Sequence, residues 1–242
     1  MLAHINARPR AKSEAERPFW ISYADLMTAM MTLCLVVMAV TIISITKKLD
    51  EKINVEEARA QDIRHICSEI QTDVGRRRNI NVNCEDNRID FGEAGRFDYK
   101  DYHLRPEVRT TLVTLVPIVL AAANSKLGQK WLKQVVIEGF TDAQGPYLYN
   151  LNLSLERSYF VMCTLVGPRA AAELNLTDEQ IQQVRELFLA GGVSFNDAKD
   201  TDEASRRVEF HLQFFSLDEK KGPAGRPRPK IQSTQQDKCE LS

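Results

Sequence analysis

The 242-residue chain carries 32 Lys and Arg against 33 Asp and Glu, a formal net charge of -1. That balance excludes the strongly basic field on which non-specific nucleic-acid binding depends, while the length suffices to bury a real core. The four histidines (His4, His65, His103, His211) are scattered and the five cysteines form no CxxC pair, so their spacing predicts no metal site; no cofactor or enzymatic role is expected either.

Residues 1–18 read as a short polar tail, followed by an apolar segment over 19–46. From Leu26 to Ile45 there are 20 residues without a charge, enough helix to cross a hydrocarbon core of about 30 Å. Pro18 suits a helix start, Trp20 and Tyr23 suit the interfacial belt, and Lys47 and Lys48 end the span. A cleaved signal peptide would have an apolar run of about 7–15 residues before a small-x-small site; here the run is longer and Lys-Lys-Leu-Asp follows it. Orientation is open on charge: Arg8, Arg10, Lys12 and Arg17 precede the span, and Lys47, Lys48, Lys52 and Arg59 follow it.

Asp25 is the informative residue here. A charged side chain at the centre of a spanning helix costs at least about 2.5–3.5 kcal/mol. Ser22, Asp25, Thr28 or Ala29, and Thr32 recur at helical spacing and form a small, polar stripe, with Tyr23 beside it. Such a stripe belongs against protein or water rather than lipid. Two readings stand: a helix-entry charge at headgroup level, or a carboxylate that exchanges an ion against a partner's helices.

The run Phe19-Trp20-Ile21-Ser22-Tyr23-Ala24-Asp25-Leu26-Met27-Thr28-Ala29-Met30-Met31 closely resembles the start of MotB-type stator B subunits of ion-driven rotary motors. The resemblance implies that Asp25 is the ion-binding group, with Ser22, Tyr23, Thr28 and Thr32 lining its pathway.

A helical stalk is expected over 47–79. Leu49, Ile53, Glu56, Ala60, Ile63, Cys67, Ile70 and Val74 alternate by four and three residues, the 3.5 period of a left-handed coiled coil, weakened by Glu56 and Ala60. An amphipathic helix lying on the following domain is the competing reading. In a paired stalk Cys67 would bridge two chains; a Cys67–Cys84 link within one chain is the alternative.

Over 80–217 strand and helix signals alternate. Strands are expected at Ile80–Cys84, Arg88–Phe91, Val135–Gly139 and Val208–Phe214, the last with alternating faces. Pro106 opens a helix through about Ala123, which Pro117 should kink or divide. Further helices are expected over Ser154–Val166, with Ser154 as its cap, and from the Thr177-Asp178-Glu179-Gln180 capping box to Gly191-Gly192. The fold class is therefore α+β: a single transmembrane helix, a helical stalk, then an α/β sandwich with helices on one sheet face.

Three pieces of this domain carry chemistry: Gly139-Phe140-Thr141-Asp142, Asn150-Leu151-Asn152-Leu153-Ser154-Leu155-Glu156-Arg157, and Ser205-Arg206-Arg207-Val208-Glu209. An aspartate and an arginine at one sheet rim can clamp a zwitterion, ammonium on the carboxylate and carboxylate on the guanidinium fork. Equally, Asp142 and Arg157 can pair with each other. The set resembles the OmpA-like peptidoglycan-binding domain, with Phe140 where histidine is usual and Ser205 where asparagine is usual. The resemblance implies a wall-peptide site of Thr141, Asp142, Asn150, Leu153, Ser154, Arg157 and Arg206, with Asp142 and Arg157 holding the diaminopimelate side chain.

Residues 218–242 read as a flexible tail in which Cys239 has no evident role. Taken together, the resemblances imply a single-pass inner-membrane protein, N-terminus in the cytoplasm, whose exported domain grips peptidoglycan. They also imply a dimer of this chain inside a ring of five MotA-like (ZorA-type) membrane subunits. The compact link between span and wall domain is most similar to the B subunits of Zorya anti-phage defence systems; a flagellar stator subunit and a passive wall tether are the alternatives.

Overall fold

The long uncharged run of the N-terminus contains neither Gly nor Pro, and it is helical. The computed structural model describes residues 17–75, 80–167, 169–220 and 239, and it divides into two units, Met1–Glu57 and Ala58–Ser242. Helix α1 (Arg17–Val74) supplies the described part of the first unit. Its side chains from Tyr23 to Val55 are exposed, including Leu26, Met30, Leu33, Val37, Val40 and Ile43. Hydroxyls along the span are satisfied internally: Thr41 Oγ1 donates to Met38 O at 2.8 Å and Ser44 Oγ to Val40 O at 2.8 Å. Turning each donor back onto the helix removes the cost of an unmade hydrogen bond in an apolar surround.

The second unit begins within α1, earlier than the boundary at 80 that the sequence suggested. Ile66, Cys67, Ile70 and Val74 are all buried in its core, with Ile63 packed against them. Asp62 Oδ2 accepts from Trp131 Nε1 at 2.7 Å, Arg59 Nε donates to Phe215 O at 2.8 Å, and a disulfide joins Cys67 to Cys84. The apolar seam expected for a coiled coil is therefore spent, from Ile63 onward, on the protein's own sheet domain.

That domain holds a five-stranded sheet of order β1-β2-β5-β3-β4, with β1 (Asn81–Asn83), β2 (Arg88–Asp90), β3 (Leu132–Phe140), β4 (Phe188–Ser194) and β5 (Val208–Phe214). All neighbours are antiparallel except β3 and β4. One sheet face carries Ile89, Val135, Ile137, Val208, Phe210 and Leu212 into the core. The other is polar and paired across strands: Gln134 with Gln213, Glu138 with Arg88 and His211, and Glu209 with Arg88 and Arg207.

Helices α2 (Pro106–Asn124), α3 (Lys126–Trp131), α4 (Tyr147–Val166), α5 (Ala170–Leu174) and α6 (Asp178–Leu187) join this core, and α7 (Asp202–Ser205) and α8 (Leu217–Lys220) flank β5. α2 is apolar enough to cross a membrane by composition, but Val108, Leu112, Leu115, Val116 and Val119 are fully buried in the core. Pro117 does not divide it.

Three expectations are corrected. α4 starts at Tyr147, after Pro146, so Ser154 is a buried mid-helix residue and not its cap. The capping box of Thr177 and Gln180 is present, but its helix stops at Leu187 and Phe188–Ser194 becomes an edge strand. Cys239 is joined to Cys163 on α4. The remaining tail residues from 221, like Arg76-Arg77-Arg78, lie outside the described residues.

Candidate functional site

The second unit gathers its charged groups where β3, α4 and the entry to β5 meet. β3 approaches α4 so closely that a Cβ on Gly139 would stand 2.0 Å from Ser154 O; only glycine permits that approach. Beyond it, Gly145 takes φ 99°, and Asn150 Nδ2 donates to Gln144 O at 3.0 Å, closing the turn into α4. Ser154 Oγ donates to Leu151 O at 2.7 Å and accepts from Ser194 N at 3.1 Å, tying α4 to the end of β4. Thr141 N donates to Ser194 O at 3.0 Å. Thr141, Asp142, Asn150, Leu153, Ser154 and Arg157 are all buried.

Asp142 and Arg157 do not pair with each other directly. Asp142 Oδ2 accepts from Arg206 Nη1 at 3.0 Å, and its Oδ1 accepts from Gln144 N at 3.1 Å. Arg157 is 0 % exposed and donates to three carbonyls: Phe140 at 2.6 Å, Asp101 at 2.9 Å and Asp98 at 3.3 Å. Its guanidinium lies over the Phe97 ring, 4.8 Å from the centroid. Burial pushes Arg157 down to about 10, against the attraction of Asp142, so it stays cationic at neutral pH. Arg206 thus bonds the Asp142 carboxylate, while Arg157 has carbonyl dipoles as its direct partners and feels the Asp142 and Asp101 charges without a bond to either carboxylate.

The stretch from Phe97 to Asp101 holds this arrangement in place. Arg206 Nε donates to Phe97 O at 3.3 Å, beside the two carbonyls already serving Arg157. Nothing in the residue types of Phe97, Asp98 or Asp101 announces this role, because the contacts are made by main-chain oxygens. Thr141 Oγ1 is buried without a hydrogen-bond partner among the described residues, a polar atom available to a ligand. The two guanidinium groups suit a carboxylate, and Asp142 suits an ammonium.

In the first unit, the Asp25 carboxylate forms no hydrogen bond or ion pair among the described residues. Thr28 Oγ1 donates to Asp25 O and Thr32 Oγ1 to Ala29 O, both at 2.9 Å, so both hydroxyls face their own backbone. Tyr23 is exposed, and the side chain of Ser22 lies outside the described residues. Among the described residues no group of three or more His, Cys, Asp or Glu is placed to hold a metal ion.

No family model matches the chain. It is 52 % identical over 224 residues to a Zorya protein ZorB from Escherichia coli O139:H28 (strain E24377A / ETEC), covering 91 % of this chain and 90 % of that relative. Among solved structures it is similar to the cell wall anchor of the T6SS from Pseudomonas aeruginosa, at 19 % identity over 62 % of this chain and 97 % of that one, with a TM-score of 0.38. It is also similar to the periplasmic domain of Helicobacter pylori MotB (15 % identity, 54 % and 78 % covered, TM-score 0.36) and to the OmpA-like domain of FopA1 from Francisella tularensis (17 %, 57 % and 82 %, 0.36).

Proposed function

The chain belongs to the ZorB family, and from that premise we propose that it is the B subunit of an ion-driven, peptidoglycan-anchored membrane motor acting in anti-phage defence. The observation that carries the reading is Asp25, whose carboxylate forms no hydrogen bond or ion pair among the described residues and stands at the head of a run that is uncharged from Leu26 to Ile45. Within a bilayer such a group belongs against another protein or water, or sheds its charge. A MotA-like, ZorA-type subunit supplies the surround, five copies around a dimer of this chain. Protonation removes the charge on Asp25 and changes which partner contacts are favourable; discharge down the gradient then steps the ring. One charge crossing 100 mV releases about 2.3 kcal/mol. The ion is the proton, with Ser22, Tyr23, Thr28 and Thr32 along its route once the two threonines turn from their backbone acceptors.

The anchor is the Asp142, Arg157 and Arg206 cluster, with Thr141, Asn150, Leu153 and Ser154 shaping it. A diamino acid side chain in a wall peptide carries both an ammonium and a carboxylate. It suits Asp142 on one side and the two guanidinium groups on the other, with the Phe97–Asp101 stretch giving way over Arg157. The role is mechanical rather than enzymatic. Residues 1–18 stay in the cytoplasm, 19–46 span the inner membrane, and the remainder lies in the periplasm. The pairs Cys67–Cys84 and Cys163–Cys239 support that orientation, since disulfides persist in oxidising compartments.

Asp25→Asn tests the motor. It keeps shape and polarity but cannot gain or lose charge. The variant is expected to co-purify with its membrane partner and to be retained on sacculi like the unsubstituted chain, while phage protection is abolished. Full protection by the asparagine variant would leave only a passive tether.

A further inference from the structure

Arg157 is the bulkiest fully buried side chain among the described residues, yet the anchor reading requires it to meet a ligand carboxylate. Of the five N–H donors of a guanidinium, one here goes to Phe140 O and two go to Asp98 O and Asp101 O. Those last two acceptors lie on one short segment without helix or strand, between the isolated bridge at Arg96 and the start of α2 at Pro106. Asp98, Tyr99 and Lys100 are exposed. A strap that faces solvent on one side and bonds a fully buried cation on the other is a cover over that cation.

The ends of the strap are firmer than its middle. Phe97 is fully buried and its N donates to Arg206 O at 2.8 Å. At the far end the Tyr102 and His103 rings stack 4.3 Å apart, and they lie 6.0 and 5.3 Å from the Phe160 ring on α4. Between these ends, Asp98 Oδ1 accepts from Arg105 Nη2 at 2.5 Å, but the two side chains are 69 % and 35 % exposed. Asp101 Oδ1 and His103 Nδ1 stand 2.6 Å apart and are also open to water. Pairs so exposed hold weakly. Lys100 takes φ 59°, the left-handed region in which a Cβ is crowded, so the closed strap carries strain at its middle.

We propose that residues 98–101 are an autoinhibitory lid over Arg157, latched by the Asp98–Arg105 pair and opened when a wall-peptide carboxylate takes the place of the Asp98 and Asp101 carbonyls. The lid rests on the peptidoglycan reading above. Closed, it gives a buried cation polar partners when no wall is present. Its cost falls on the ligand, because apparent affinity is reduced by the fraction of chains whose lid is open.

The test measures binding of a soluble wall peptide carrying the diamino acid to the full chain in detergent, with amide hydrogen exchange followed over residues 98–103. Arg105→Gln and Asp98→Asn are each expected to bind the peptide about two- to fivefold more tightly, the size of one exposed ion pair. Each should also speed exchange at Asp101 N, which donates to Asp98 O at 3.1 Å. The two substitutions change net charge in opposite directions, so a gain common to both does not come from the local field. A pair with a merely structural role would weaken binding when broken. If either variant binds no more tightly than the unsubstituted chain, or gains without faster exchange, the lid is refuted while peptide binding still stands. If the unsubstituted chain binds no peptide, the wall-binding reading falls and the lid with it.

Discussion

Arg206 Nη1 holds the Asp142 carboxylate at 3.0 Å, where the sequence leaves direct pairing between Asp142 and Arg157 open. The Asp142 and Arg206 side chains are only 5 % and 16 % exposed, so the pair is largely shielded from water and salt. A ligand ammonium can take the place of the Arg206 guanidinium, but nothing replaces the carboxylate. Asp142→Asn should therefore reduce retention of the full chain on sacculi more than tenfold, about 1.4 kcal/mol or more, and Arg206→Gln should reduce it less. Undiminished retention of Asp142→Asn would remove the clamp.

Residues 58–74 belong to the second unit, and Ile66, Cys67, Ile70 and Val74 lie in its core. A soluble fragment beginning at residue 80 loses Ile66, Cys67, Ile70 and Val74 together with the Cys67–Cys84 link, which spans 17 residues. Each large buried aliphatic removed costs about 2–5 kcal/mol, and a loop of that length about 3 kcal/mol more. The fragment from 58 should unfold cooperatively in urea, and the fragment from 80 should show no folded baseline. Equal midpoints for the two would contradict the packing of α1 on the sheet.

Gly139 sits where β3 passes under α4. An added methyl would meet Ser154 O at 2.0 Å, with Arg157 Cβ at 3.3 Å, and main chain cannot swing aside as a flexible side chain can. Gly139→Ala is expected to cost at least about 1–3 kcal/mol and to loosen Arg157. Urea denaturation reads the first effect, and sacculus retention the second. A stability within a few tenths of the parent would show that α4 can shift.

Glu138 ties the polar sheet face together. Burial raises its carboxyl, but hydrogen bonds and charge from His211 and Arg88 outweigh that and hold it below its usual 4.5. With the folded value depressed, its contribution is present above pH 4.5 and is lost as pH falls through the folded value. The urea midpoint should therefore fall on acidification over this range, and less steeply in Glu138→Gln. The same acid slope in both proteins would assign the effect elsewhere.

The span and its single carboxylate were legible because both are local: the length of an uncharged run and the residue type at position 25 need no partner to be read. The helix start at Pro106 and the capping box at Thr177 were legible for the same reason. Where sequence failed, two distant segments competed for one stretch of chain. Phe188–Ser194 continues a helical pattern locally, yet it lies parallel to β3 and takes strand geometry from that neighbour. The 3.5-residue seam of α1 fits a second copy or a sheet equally well, and burial of Ile66, Cys67, Ile70 and Val74 in the core of the second unit decides for the sheet domain.

The sequence by itself determined which residues stand out as candidates: Asp25 in the apolar run, and Asp142, Arg157 and Arg206 in their spaced motifs. Only the tertiary structure decided how those charges are shared. Side-chain identity sets what a group can bond, but partner choice depends on which backbone oxygens are brought within about 3 Å. For Arg157 these are the carbonyls of Asp98, Asp101 and Phe140, contacts that no residue type encodes because every residue has the same carbonyl to offer.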